Sequence, residues 1–69
     1  MNEIIVERLK AAIDDSGMTM VAIAEKAGMK RETLYNRLAL KGEFTASEIV
    51  GLCAALKLDK KQRDFIFCL

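Results

Sequence analysis

A chain of 69 residues that is 52% hydrophobic and 30% charged suffices for one small domain and is too apolar to be disordered. With no His and only two Cys it has no ligand set for zinc and no imidazole base, and no stretch approaches the roughly 20 apolar residues that span a bilayer. The net charge of +1 excludes bulk attraction to nucleic acid as a signal, so charge has to be sought segment by segment.

Pro is absent, Gly occurs four times, and Ala, Leu, Lys, Glu and Met are common, without alternating apolar and polar runs. That pattern predicts an all-α fold. Cys53 and Cys68 are too few for a disulfide framework, and Cys53 falls on an apolar helix face as a small core residue. The N-terminus, MNEIIVERLK, is amphipathic and lacks the apolar centre of a signal peptide, so a cytoplasmic protein is expected.

The first predicted helix runs from about Glu3 to Asp15, with Asn2 as its cap, Ile5, Leu9, Ala12 and Ile13 inward, and Gly17 at its end. The second covers Met20 to Ala27, capped by Thr19, with Met18 and Ile23 at the staple spacing and Gly28 as the turn residue. The third spans Arg31 to Leu40, packs through Leu34 and Leu38, and stops at Lys41-Gly42. Met18, Met20 and Met29 read as core filler.

FTASE is the clearest start signal in the chain. Thr45 caps and Glu48 reaches back, opening a fourth helix with the core stripe Ile49, Leu52, Cys53, Leu56. Asp59 and Gln62 form a weaker box for the fifth, which ends in FIFCL. Phe65, Ile66, Phe67 and Leu69 are too many for one short helix to bury on one side. They close the monomer core, meet a second copy, or divide between the two uses. Pairing is a common route to stability for so small a core.

Two short helices joined by a tight Gly-containing turn make a helix-turn-helix, at about residues 20–40. Between Lys26 and Lys41 the cations Lys26, Lys30, Arg31, Arg37 and Lys41 face one anion, Glu32, a local charge of +4. A basic segment on a near-neutral body is an electrostatic footprint for nucleic acid.

In Ala24, Gly28 and Leu34, and in TLYNRL followed by KGEFTASEI, with KKQRDFIF near the end, the chain resembles the Cro and phage-repressor (XRE-like) family of helix-turn-helix regulators. The resemblance covers nearly the whole chain. It implies a five-helix, lambda-repressor-like DNA-binding domain in which Ala24 stays small at a helix crossing, Gly28 makes the turn and Leu34 plugs the third helix into the core. The family commonly has Gln where this chain has Met20, Ser or Thr where it has Lys30, and an apolar residue where it has Arg37.

By that resemblance Arg31, Glu32, Tyr35 and Asn36 read base edges. Arg pairs with guanine, Asn with adenine, and Glu accepts from cytosine. Thr19, the amide end at Met20, Lys30, Arg37 and Lys41 are the expected phosphate contacts. Glu32 has an alternative, pairing with Asn36 or Arg37 on its own helix, and Tyr35 has one as a half-buried packing residue.

The expected function is a sequence-specific regulator acting on duplex DNA as a homodimer, with no cofactor, metal or small-molecule ligand. The alternative is a protein-interaction module, an antitoxin or anti-repressor partner using the same bundle. The absence of a His, a Gly-rich phosphate loop or a nucleophile–base pair argues against an enzyme.

Overall fold

Among the described residues, three helices open on a side chain that closes their own first turn. Thr19 Oγ1 accepts from the Ala22 N–H at 3.1 Å ahead of α2, Met20–Ala27. Thr45 and Glu48 cap α4, Ala46–Leu56, reciprocally, with bonds of 3.2 and 3.0 Å. Asp59 and Gln62 do the same for α5, Lys60–Phe67, at 2.8 and 2.9 Å. The remaining helices are α1, Asn2–Ser16, and α3, Arg31–Leu38.

The structure, a computed structural model, describes residues 2–69, with side chains from Glu3 onward. The capping role expected of Asn2 lies outside those side chains. All five elements are α-helices, as composition predicted, and no helix is long and apolar enough to cross a membrane among the described residues.

The core takes one fully buried side chain from each of the first four helices: Leu9, Ile23, Leu34 and Leu52. Each such burial contributes roughly 1.5–3 kcal/mol. Ile13, Ala24 and Ala55 fill between them, and Met18, Met20, Met29 and Cys53 pack against the cluster in the filler role expected of them. Phe44 meets Phe67 edge to face, with ring centroids 5.7 Å apart.

The C-terminal apolar residues divide by helix geometry. Ile66 and Phe67 are 5% and 3% exposed and close the core, so neither is available to a second copy, which corrects their expected place in a dimer contact. Successive residues step about 100° around a helix, which leaves Phe65 outside at 60% exposure. Cys68 then turns the chain through a left-handed conformation, and Leu69 emerges at 69%.

One detail departs from the sequence expectation and a second lies outside it. α3 ends at Leu38, because Leu40 adopts φ +64° and the Lys41 N–H returns to the Asn36 carbonyl at 2.8 Å. The chain therefore turns before Lys41-Gly42. Secondly, α2 and α4 touch backbone to backbone. A Cβ on Gly51 would fall onto the carbonyl oxygen of Ala27, so only glycine lets α4 lie there.

Candidate nucleic-acid interface

The connection between α2 and α3 is three residues long. Gly28, at φ +72°, sends its N–H to the Glu25 carbonyl at 3.2 Å, while the Met29 N–H reaches back to Ala24 at 2.9 Å. This pair of bonds closes the last turn of α2, and the left-handed residue it needs carries little cost as glycine. Lys30 is extended, and α3 begins at once.

α3 is held to the body by one fully buried residue, Leu34, with Leu38 packed beside it. Arg31, Glu32, Tyr35 and Asn36 follow at i, i+1, i+4 and i+5, a broad face turned away from that anchor. Arg31 and Glu32 are exposed, Tyr35 is 50% exposed and Asn36 is half-buried. Glu32 makes no side-chain hydrogen bond and no ion pair among the described residues, so the pairing with Asn36 or Arg37 considered above does not form.

Arg37 has a different task from the phosphate contact expected of it. Its Nε and Nη2 donate to the two carboxylate oxygens of Glu48 at 3.0 and 3.2 Å, and its Nη1 donates to the Lys41 carbonyl at 3.0 Å. All three guanidinium nitrogens are engaged, and the ion pair is largely shielded, with side chains 19% and 13% exposed. Gly42 makes room for it, since a Cβ there would stand 2.6 Å from Nη1. Burial alone would raise the Glu48 carboxyl, but the Thr45 N–H and the Arg37 guanidinium outweigh it and hold the group below its ordinary 4.5. The same carboxylate thus caps α4 and ties the end of α3 to it.

With Arg37 occupied, the exposed cations of the segment are Lys26, Lys30, Arg31 and Lys41, around Glu32. In the chain, Glu25 and Glu43 flank this basic segment on either side. Thr19 is exposed. Its oxygen serves as the cap, and its hydroxyl hydrogen stays available to an acceptor. The Met20 side chain packs on the core, so what Met20 can offer an anion is its amide at the start of α2.

Comparison with protein-family models, curated proteins and solved structures gives no match. Among the described residues no group of His, Cys, Asp and Glu is arranged to hold a metal ion. Burial pushes the Cys53 thiol up, with Arg63 opposing only in part, which disfavours its thiolate. The exposed α3 face offers a planar fork of donors (Arg31), an amide (Asn36), an acceptor (Glu32) and an aromatic edge (Tyr35), flanked by point charges. Sequence reasoning missed the Arg37–Glu48 pair and the two glycines, 42 and 51, that permit close contact. Glu48 carried a signal only for its capping role.

Proposed function

We propose that this chain is a sequence-specific DNA-binding regulator of the Cro-like kind. In this reading α2, the turn and α3 work as a helix-turn-helix, with α3 in the major groove. Arg31, Glu32, Tyr35 and Asn36 meet base edges, and Thr19, the Met20 amide, Lys30 and Lys41 meet phosphates. The observation that carries it is the combination on α3 of one buried anchor with an outward face of hydrogen-bonding side chains, ringed by exposed cations.

Two copies are part of the reading. The domain measures 25 × 24 × 21 Å between Cα atoms, so one body spans less than the roughly 34 Å that separates two half-sites one helical turn apart. A pair of copies reads both. Control would then follow the concentration of the chain, by occlusion or recruitment at a promoter in the cytoplasm.

The test is selection from a random pool of DNA duplexes at moderate salt, followed by sequencing. An enriched inverted repeat supports the two-copy regulator. A pool that stays random overturns the DNA reading. It would move attention to a protein partner for the exposed Phe65, Leu69 and Val50. Binding should also weaken steeply with added salt, because phosphate contacts release counterions.

A further inference from the structure

An open groove of about 370 Å³ is lined by Arg8, Ala11, Ala12 and Asp15 of α1 and by Phe65 and Ile66 of α5. On α1, Arg8, Ala11 and Asp15 fall at i, i+3 and i+7, so they share one stripe, and Ile4, 45% exposed, continues it by one turn.

The order of residues on this stripe has a symmetry. Arg8 and Asp15 lie equally far from a midpoint between Ala11 and Ala12. When two identical helices pair antiparallel about a two-fold axis, contacts are reciprocal, residue i meeting j and j meeting i. An axis at that midpoint sets Arg8 of each copy opposite Asp15 of the other. It also sets the small alanines against each other, where backbones approach most closely. A parallel pairing would set Arg8 on Arg8 and Asp15 on Asp15. The face is thus complementary in charge to itself in one orientation.

Arg8 is held at the groove by contacts with α5 of its own chain. Its guanidinium stacks 3.9 Å from the centre of the Phe65 ring, and its Nη1 donates to the Phe65 carbonyl. Its Nε and Nη2 make no bond among the described residues, and neither does the exposed Asp15 carboxylate. The exposed Phe65 ring supplies the apolar contact beside them.

We propose that the occupant of this groove is a second copy of the chain. It docks two-fold with its α1 antiparallel, pairing Arg8 of each copy with Asp15 of the other across Ala11 and Ala12. This deepens the two-copy part of the function proposed above. Self-association is measured without DNA, so its failure and the failure of the DNA reading are separate outcomes.

The experiment is sedimentation equilibrium on the full chain and three variants, with helicity and melting recorded for each. Asp15→Arg puts Arg against Arg, Arg8→Asp puts Asp against Asp, and each alone should self-associate at least about tenfold more weakly. Mixed one to one, the two variants should dimerise with each other, because both cross-pairs are then of opposite sign. Should Arg8→Asp fail to fold for loss of its Phe65 contacts, Ala11→Glu replaces it. Position 11 is exposed, and two glutamates would meet at the axis, so that variant should fold and remain monomeric. A wild-type chain that stays monomeric at about 100 μM, well above the range of ordinary stable complexes, overturns the proposal. So does a dimer that neither Asp15→Arg nor Ala11→Glu weakens.

Discussion

Gly51 of α4 lies so close to Ala27 of α2 that a methyl group on it would overlap the Ala27 carbonyl oxygen. The obstacle is backbone, which has no rotamer by which to move aside. Gly51→Ala should therefore destabilise by at least about 2 kcal/mol, against the roughly 1 kcal/mol that alanine ordinarily gains over glycine inside a helix. Urea unfolding followed by circular dichroism measures it. A variant as stable as the wild type would mean that the two helices do not touch there.

The Arg37–Glu48 pair should couple in a double-mutant cycle. Arg37→Met, Glu48→Gln and the double variant should give a coupling of about 1–2 kcal/mol, above that of an exposed pair because both side chains are shielded. The sign with pH follows from the depressed carboxyl. A group whose folded value is lowered contributes stability above its unfolded value of 4.5, and that contribution is lost as pH falls through the lower folded value. The stability gap between wild type and Glu48→Gln should thus hold from pH 7 to about 5 and narrow below 4.5. A gap independent of pH would mean that the charge on Glu48 contributes nothing.

Lys57 ends α4 in a left-handed conformation at φ +55°, exposed and without a charged partner among the described residues. Lys57→Gly should stabilise by about 0.5–1 kcal/mol, read as a higher Tm. A lower Tm would show that the lysine stem contributes more by packing than its backbone costs.

On the DNA reading, Arg31→Ala and Lys30→Ala should separate. Arg31→Ala should cost about 1–3 kcal/mol and relax preference at one base position. Lys30→Ala should weaken all sequences alike and reduce the salt slope by about one. Equal losses on every sequence for both would move Arg31 into the phosphate group.

Three of the helices were legible in the sequence because their starts leave a local mark. Thr19, Thr45 and Asp59 each accept within the turn they open, and Gly28 takes the left-handed angle that its place after Ala27 implied. Leu34 was legible as an anchor from its spacing to Leu38. Contacts between helices were harder to see. Nothing near Arg37 in the chain indicates that Glu48, eleven residues on, already holds a fixed carboxylate for it. Likewise Gly51 sits in a run of good helix formers, and the need for glycine comes from a carbonyl in another helix. The end of α3 was misjudged because Leu40 takes an angle that composition assigns to the glycine two residues later. In FIFCL, composition could not say which two residues point inward.

α3 is preceded by Lys30, which offers its first turn no side-chain acceptor, and the first of its amides to find a carbonyl is that of Leu34, to Lys30, at 3.1 Å. In the free chain the amides of Arg31, Glu32 and Thr33 should then be among the fastest to exchange with deuterium, while those inside α4 stay slow. An anionic ligand seated over this turn would supply the acceptors it lacks. Slowing of these few amides would therefore report occupancy directly, on the unmodified protein, and would distinguish a molecule lodged at α3 from one that settles elsewhere on the surface.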